Sequence, residues 1–233
     1  QAIRNGWQFT SLLYSPETPL SRWAQEVLDT VSCDTHYQLS SNLMQELSGK
    51  TDTSELLAIL RMRPDDPALL HDSPCPLYIL FDRPSNHGNL GSIIRSADAL
   101  GADGLILTGH GVDLYQPEVI TASMGSFFNL PAIRMADNDT VFDWIARQRD
   151  LHPGFQVIGT TAHKQLNITQ VDFRLPTLLM IGNETEGLCR AFKEGCDLLA
   201  TIPMADTSSA SSFNVACAAT VMMYEVCRQR AQE

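Results

Sequence analysis

From residue 76 onward, short and wholly apolar runs alternate with longer stretches whose apolar residues recur every three or four positions. This alternation restricts the fold more than any other feature. Leu77-Tyr78-Ile79-Leu80-Phe81 lacks a polar face, so it predicts a strand buried on both sides. Leu90, Ile93, Ile94 and Ala97 then share one face of a helix. The same reading predicts strands over 104–108, 155–159, 177–181 and 198–202, the last stopped by Pro203. It predicts helices over 117–127, opened by Pro117, over 139–149, capped by Asp139, and over 213–230. Strands separated by helices require an α/β architecture: a mostly parallel sheet with helices on both faces. Ligands of such sheets bind beyond the carboxyl ends of the strands.

Upstream the pattern changes. The segment from Arg63-Pro64-Asp65-Asp66-Pro67 to Ser73-Pro74-Cys75-Pro76 is rich in proline and acid. It predicts a linker over 64–75 between a small first domain, 1–63, and a larger one, 76–233. Hydrophobic residues make up 44% of the chain, enough for a substantial core. No apolar run of about 18 residues exists to span a membrane. The chain begins at Gln1 without a secretory signal, so the first domain is expected to be trimmed and the protein cytoplasmic. The six cysteines contain no CxxC pair and the six histidines are scattered, which predicts reduced thiols and no metal. The net charge of −11 divides into −5 over residues 1–72 and −6 over 73–233, so neither part is a basic domain. That argues against a general polyanion binder and leaves only local cationic contacts for any nucleic acid.

Three loops at predicted strand ends carry unusual residues. In Asn86-His87-Gly88-Asn89-Leu90-Gly91-Ser92-Ile93-Ile94-Arg95, small residues allow close approach to the backbone. The helix start there favours an anion, and Arg95, about one turn in, can reach a phosphate. An ordinary glycine-containing turn with a surface arginine fits the same spacing. In Ile181-Gly182-Asn183-Glu184-Thr185-Glu186-Gly187-Leu188, Glu184 stands at the mouth of the sheet; solvated glutamates before a helix fit equally. Ile202-Pro203-Met204 leads to Ser208-Ser209-Ala210-Ser211-Ser212-Phe213-Asn214-Val215, which on its own is an ordinary helix cap. No His and Asp stand where a serine hydrolase needs them. The GxGxxG fingerprint of a dehydrogenase is absent, and Gly109-His110-Gly111 reads as a loop fragment.

Taken together and in order, the loops resemble the three motifs of the SpoU (TrmH-like) RNA 2′-O-ribose methyltransferases, a branch of the SPOUT superfamily. Asn89, Gly91 and Arg95 match N-x-G-x-x-x-R. Gly182, Glu184, Gly187 and Leu188 match G-x-E-x-x-G-L. Ile202-Pro203-Met204 and Ser212-Phe213-Asn214-Val215-Ala216 match I-P-M and S-L-N-V-S, with Phe213 and Ala216 as departures. Asn86-His87 replaces a frequent Asp-Pro, and Ala122-Ser123-Met124-Gly125-Ser126 with Leu130-Pro131 matches an intermediate stretch. The resemblance spans about 76–230. Residues 1–63 are similar to the family's small α/β RNA-binding module, with Ser48-Gly49-Lys50 and Leu57-Ala58-Ile59-Leu60 near its end.

The resemblance implies a trefoil-knotted sheet, a homodimer, S-adenosylmethionine (AdoMet) as cofactor and RNA as substrate, ribosomal rather than transfer RNA. It implies catalytic roles for Arg95, Asn89, Glu184, Ser212 and Asn214, with Glu184 holding Arg95 or the site geometry. Thr160, Gly182, Asn183, Gly187, Ile202, Met204 and Phe213 would contact the cofactor. Arginine is almost always charged, so Arg95 suits gripping a phosphate or a developing alkoxide better than acting as a base. Two other readings stay open: a knotted RNA-binding protein without activity, and a small-molecule methyltransferase, which the acidic charge suits.

Overall fold

The computed structural model describes residues 1–49, 52–163 and 165–231, so Lys50, named above, lies outside the described residues. The chain divides into two compact units, 1–63 and 64–233.

The first unit contains β1 (Phe9–Tyr14), α1 (Arg22–Thr30), β2 (Thr35–Gln38), α2 (Ser41–Ser48) and β3 (Leu56–Leu60). Its sheet runs β2-β1-β3, with β2 parallel and β3 antiparallel to β1. Ser21 and Ser40 cap the two helices through their hydroxyls. Leu12 of β1 meets Val27 and Leu28 of α1 in a small core, with Phe9, Tyr14, Leu20 and Leu56 at its margin.

The second unit contains β4 (Leu77–Asp82), α3 (His87–Ala99), β5 (Gly104–Thr108), α4 (Pro117–Ala122), β6 (Ala132–Met135), α5 (Asn138–Leu151), β7 (Gln156–Thr160), β8 (Leu166–Asn167), β9 (Thr177–Ile181), α6 (Arg190–Gly195), β10 (Leu198–Thr201) and α7 (Val215–Arg230). Its seven strands run β6-β5-β4-β9-β7-β10-β8, all parallel. Every residue of β4, β5 and β9 is buried, as their uninterrupted apolar runs require. Tyr78, Leu80, Ile106, Leu178 and Met180 share a core with Val141, Trp144 and Ile145 of α5 and Phe192 of α6. The alternate residues Ile79, Phe81, Leu105 and Leu179 are equally buried and point to the opposite face, which α3, α4 and α7 cover. The last connection matters for the site. β10 enters between β7 and β8, and α7 then returns to pack on α3, where the Ser96 and Thr220 hydroxyls lie 2.8 Å apart.

Several expectations need correction. Residues 64–75 are packed rather than a free linker: Asp65 binds Arg134, Leu70 enters the main core, and the His71 carbonyl accepts the Tyr78 hydroxyl at 2.7 Å. The helix expected over 139–149 starts at Asn138 and is capped by Asp137, whose carboxylate accepts the Thr140 N–H at 2.7 Å. The helix expected over 117–127 stops at Ala122, because Met124 and Gly125 take positive φ (52° and 95°). The helix expected from Phe213 starts at Val215, after its cap Asn214. Strand β6 escaped detection because the exposed Arg134 interrupts its apolar run, and β8 and α6 are too short for periodicity.

Candidate active site

The carboxyl ends of β4, β7, β9 and β10 lie side by side, so the connections that follow them form one cluster. The loop after β9 folds back on itself: Asn183 and Gly187 exchange backbone hydrogen bonds at 3.1 and 2.9 Å. Gly187 sits at φ 70°. A Cβ on Gly182 would lie 2.2 Å from the Leu188 nitrogen and 2.3 Å from the Gly187 carbonyl carbon, so this return tolerates only glycine at 182. The Asn183 carboxamide oxygen accepts the N–H groups of Thr185 and Glu186, closing the turn.

Glu184 leaves this loop toward the start of α3. Its Oε2 accepts the Ser85 N–H at 3.0 Å and the Ser85 hydroxyl at 2.6 Å. Its Oε1 accepts the Asn86 N–H and the Asn89 side-chain N–H, both at 3.2 Å. The Asn89 oxygen in turn accepts from the Asn214 amide at 3.1 Å, and the Asn214 oxygen caps α7 by accepting from Ala216 and Cys217. One chain of hydrogen bonds, Glu184–Asn89–Asn214, therefore ties the three loops together. Partial burial alone would raise the Glu184 pKa, but the bonds from Ser85, the backbone and Asn89 outweigh it and hold the carboxyl below its ordinary range.

Beside this junction lies a pocket of about 330 Å³. Thr160, Gly182, Asn183, Gly187, Ile202, Met204 and Phe213 all line it, and so do Glu184 and Ser212. Asn89, Arg95 and Asn214 do not. Arg95 lies more than two turns into α3 rather than one, is exposed, and makes no hydrogen bond or ion pair with the described residues. Glu184 holds the Ser85–Asn89 segment instead of Arg95. Gly91 serves the fold: a Cβ there would lie 2.5 Å from the Ala122 Cβ, so α4 packs against it.

Sequence reasoning missed Ser85, an unremarkable loop serine whose role depends on a residue 99 positions away. It also missed Ala219 and Met222, buried residues of α7 that line the pocket. Among the described residues, no group of three or more His, Cys, Asp or Glu could hold a metal ion, and no helix is long and apolar enough to cross a membrane.

Comparison with known proteins places this geometry. Residues 76–224 match the model of the SpoU rRNA Methylase family, and residues 1–58 match the SpoU L30e-like domain. A 23S rRNA (uridine(2479)-2′-O)-methyltransferase of Streptomyces viridochromogenes is 44% identical over 98% of this chain and 79% of its own length. The 23S rRNA (guanosine-2′-O-)-methyltransferase RlmB of Coxiella burnetii is 30% identical over 87% of this chain and 74% of its own. Among solved structures, the SpoU methyltransferase AviRb from S. viridochromogenes in complex with AdoMet superposes with a TM-score of 0.93 at 43% identity, covering 99% of this chain and 86% of that one. An AdoMet-bound rRNA methyltransferase from Sinorhizobium meliloti gives 0.82 at 29% identity, covering 97% and 82%.

Proposed function

The chain belongs to the SpoU rRNA methylase family, and on that premise we propose that it methylates a ribose 2′-hydroxyl of ribosomal RNA at the junction of the three loops. It is an AdoMet-dependent RNA 2′-O-methyltransferase. The observation that carries the reading is the Glu184–Asn89–Asn214 chain of hydrogen bonds, which joins all three loops, beside a pocket lined by the second and third of them.

The pocket fits the cofactor. Its 330 Å³ falls within the range of small-molecule sites, roughly 300–1,000 Å³, and its lining combines apolar side chains (Leu188, Ile202, Met204, Phe213) with backbone groups of the 182–187 loop. When bound, AdoMet supplies a sulfonium-activated methyl group. The chain's own residues supply position. Holding the hydroxyl in line with a methyl donor removes much of the entropic barrier. Asn89 and Asn214 spend hydrogen bonds on each other and fix the loops, while Ser212, at the pocket wall, is available to the ribose.

Arg95 remains for the RNA. With no acid among the described residues engaging it, its guanidinium can grip a phosphate and stabilise the developing alkoxide. The net charge of −11 makes such a local contact necessary rather than optional. Ribosomal RNA is favoured over transfer RNA because the relatives at 44% and 30% identity act on 23S rRNA. We place the protein in the cytoplasm with that substrate. We read the threading of β10 and α7 as the trefoil knot, and the enzyme as a homodimer, which sedimentation tests directly.

The decisive variant is Arg95→Ala. Calorimetry should show AdoMet binding unchanged, while methyl transfer to 23S rRNA falls at least about a hundredfold, the scale of a lost transition-state contact. Retained transfer overturns the role of Arg95. Absence of AdoMet binding in the wild type overturns the function.

A further inference from the structure

We propose that Arg83, between β4 and α3, is a positioning residue that fixes the 182–187 wall of the cofactor pocket. The inference rests on the function proposed above. Arg83 takes φ 51°, a left-handed conformation that carries a cost for any residue with a Cβ. Such a conformation persists only where surrounding contacts hold it. Those contacts lead to one place. The guanidinium donates to the Gly187 carbonyl at 3.1 Å and to the Glu186 carboxylate. The Arg83 carbonyl accepts the Asn183 side-chain N–H at 2.7 Å. One residue thus holds the pocket loop at 183, 186 and 187.

The base of this arrangement is rigid. Asp82, 2% exposed at the end of β4, accepts two bonds from the Arg83 guanidinium, at 3.1 and 3.2 Å. It also accepts the Thr108 hydroxyl at 3.2 Å and the Cys189 N–H at 2.7 Å, the last just beyond the pocket loop. The Gly109-His110-Gly111 segment completes the device. A Cβ on Gly109 would stand 2.4 Å from the Arg83 Cγ, and one on Gly111 would stand 2.3 Å from the Pro84 carbonyl oxygen. Those glycines leave room for Arg83 and Pro84. An ordinary surface ion pair would need neither the positive φ nor a cleared space.

The test compares the wild-type chain, Arg83→Ala and Arg83→Lys by AdoMet calorimetry, steady-state kinetics on 23S rRNA and thermal melting. Arg83→Ala should raise the AdoMet Kd and KM about tenfold while kcat stays within about twofold. Arg83→Lys keeps the charge but lacks the planar fork that spans Asp82 and Gly187, so it should raise Kd about threefold with near-normal melting. Unchanged AdoMet affinity in a folded Arg83→Ala overturns the proposal. So does a parallel loss of kcat, affinity and melting temperature in both variants, which marks a purely structural role. If Arg83→Ala does not fold, Arg83→Lys decides, and a wild-type Kd there overturns it. A wild-type chain that fails to bind AdoMet refutes the function itself, a separate result.

Discussion

Two walls of the same pocket are built differently. The 182–189 wall is stitched to its neighbours by Asp82, Arg83, Ser85 and Asn89, and it closes on itself through Asn183 and Gly187. The 203–214 wall crosses as an exposed loop. Among the described residues its internal bonds are Ser208 N–H to the Ala205 carbonyl and Ala210 N–H to the Ser208 hydroxyl, until Asn214 anchors it. Residues 205–214 are all exposed. One wall is thus held by hydrogen bonds to the segments around it, and the other by few bonds of its own. Pre-formed polar walls favour turnover, since they need no reorganisation at the reactive moment. A loop with few contacts opens at little cost.

Breaking the stitched wall should have the largest effect. Glu184→Ala strands four donors, from Ser85 N–H and hydroxyl, Asn86 and Asn89, at a penalty of about 1–3 kcal/mol for each one that water cannot reach. We expect kcat/KM to fall about a hundredfold, with Glu184→Gln recovering part of it. Next is Asn214→Ala, which removes both the α7 cap and the link to Asn89. It should lower stability by about 1 kcal/mol in a denaturant titration and slow turnover about tenfold. Near-normal turnover would show that the two walls act independently.

A smaller effect concerns pH. The folded Glu184 carboxyl lies below its ordinary value of 4.5, so its contribution is fully present above that value and is lost as pH falls through the depressed one. AdoMet affinity should not drop between pH 7 and 5 on account of this group. A midpoint above 4.5 that vanished in Glu184→Gln would contradict the hydrogen-bonded wall. The smallest effect belongs to the open wall: Ser208→Ala should change stability by less than about 0.5 kcal/mol in the same titration.

The units of the chain differ in how legible they were. In the second, uninterrupted apolar runs such as Leu77–Phe81 and Thr177–Ile181 announced their strands, because burial on both faces leaves no room for polar alternation. In the first, every residue of β2 is exposed, and a strand with so little buried surface leaves a faint pattern. Residues 64–75 misled because proline and acid signal an irregular path. They do not reveal that Leu70 and Asp65 still find partners across the fold.

What the sequence determined by itself is the α/β alternation and the three motif loops, because periodicity and local turn chemistry are written in neighbouring residues. The tertiary structure alone decided what each motif residue touches. Glu184 meets Ser85 and Asn89 rather than Arg95, Gly91 serves α4 rather than a ligand, and Gly109 clears space for Arg83. The physical reason is range. These partners lie tens of residues apart along the chain, 99 for Ser85 and Glu184, and meet only where the fold brings their segments together, which no local pattern encodes.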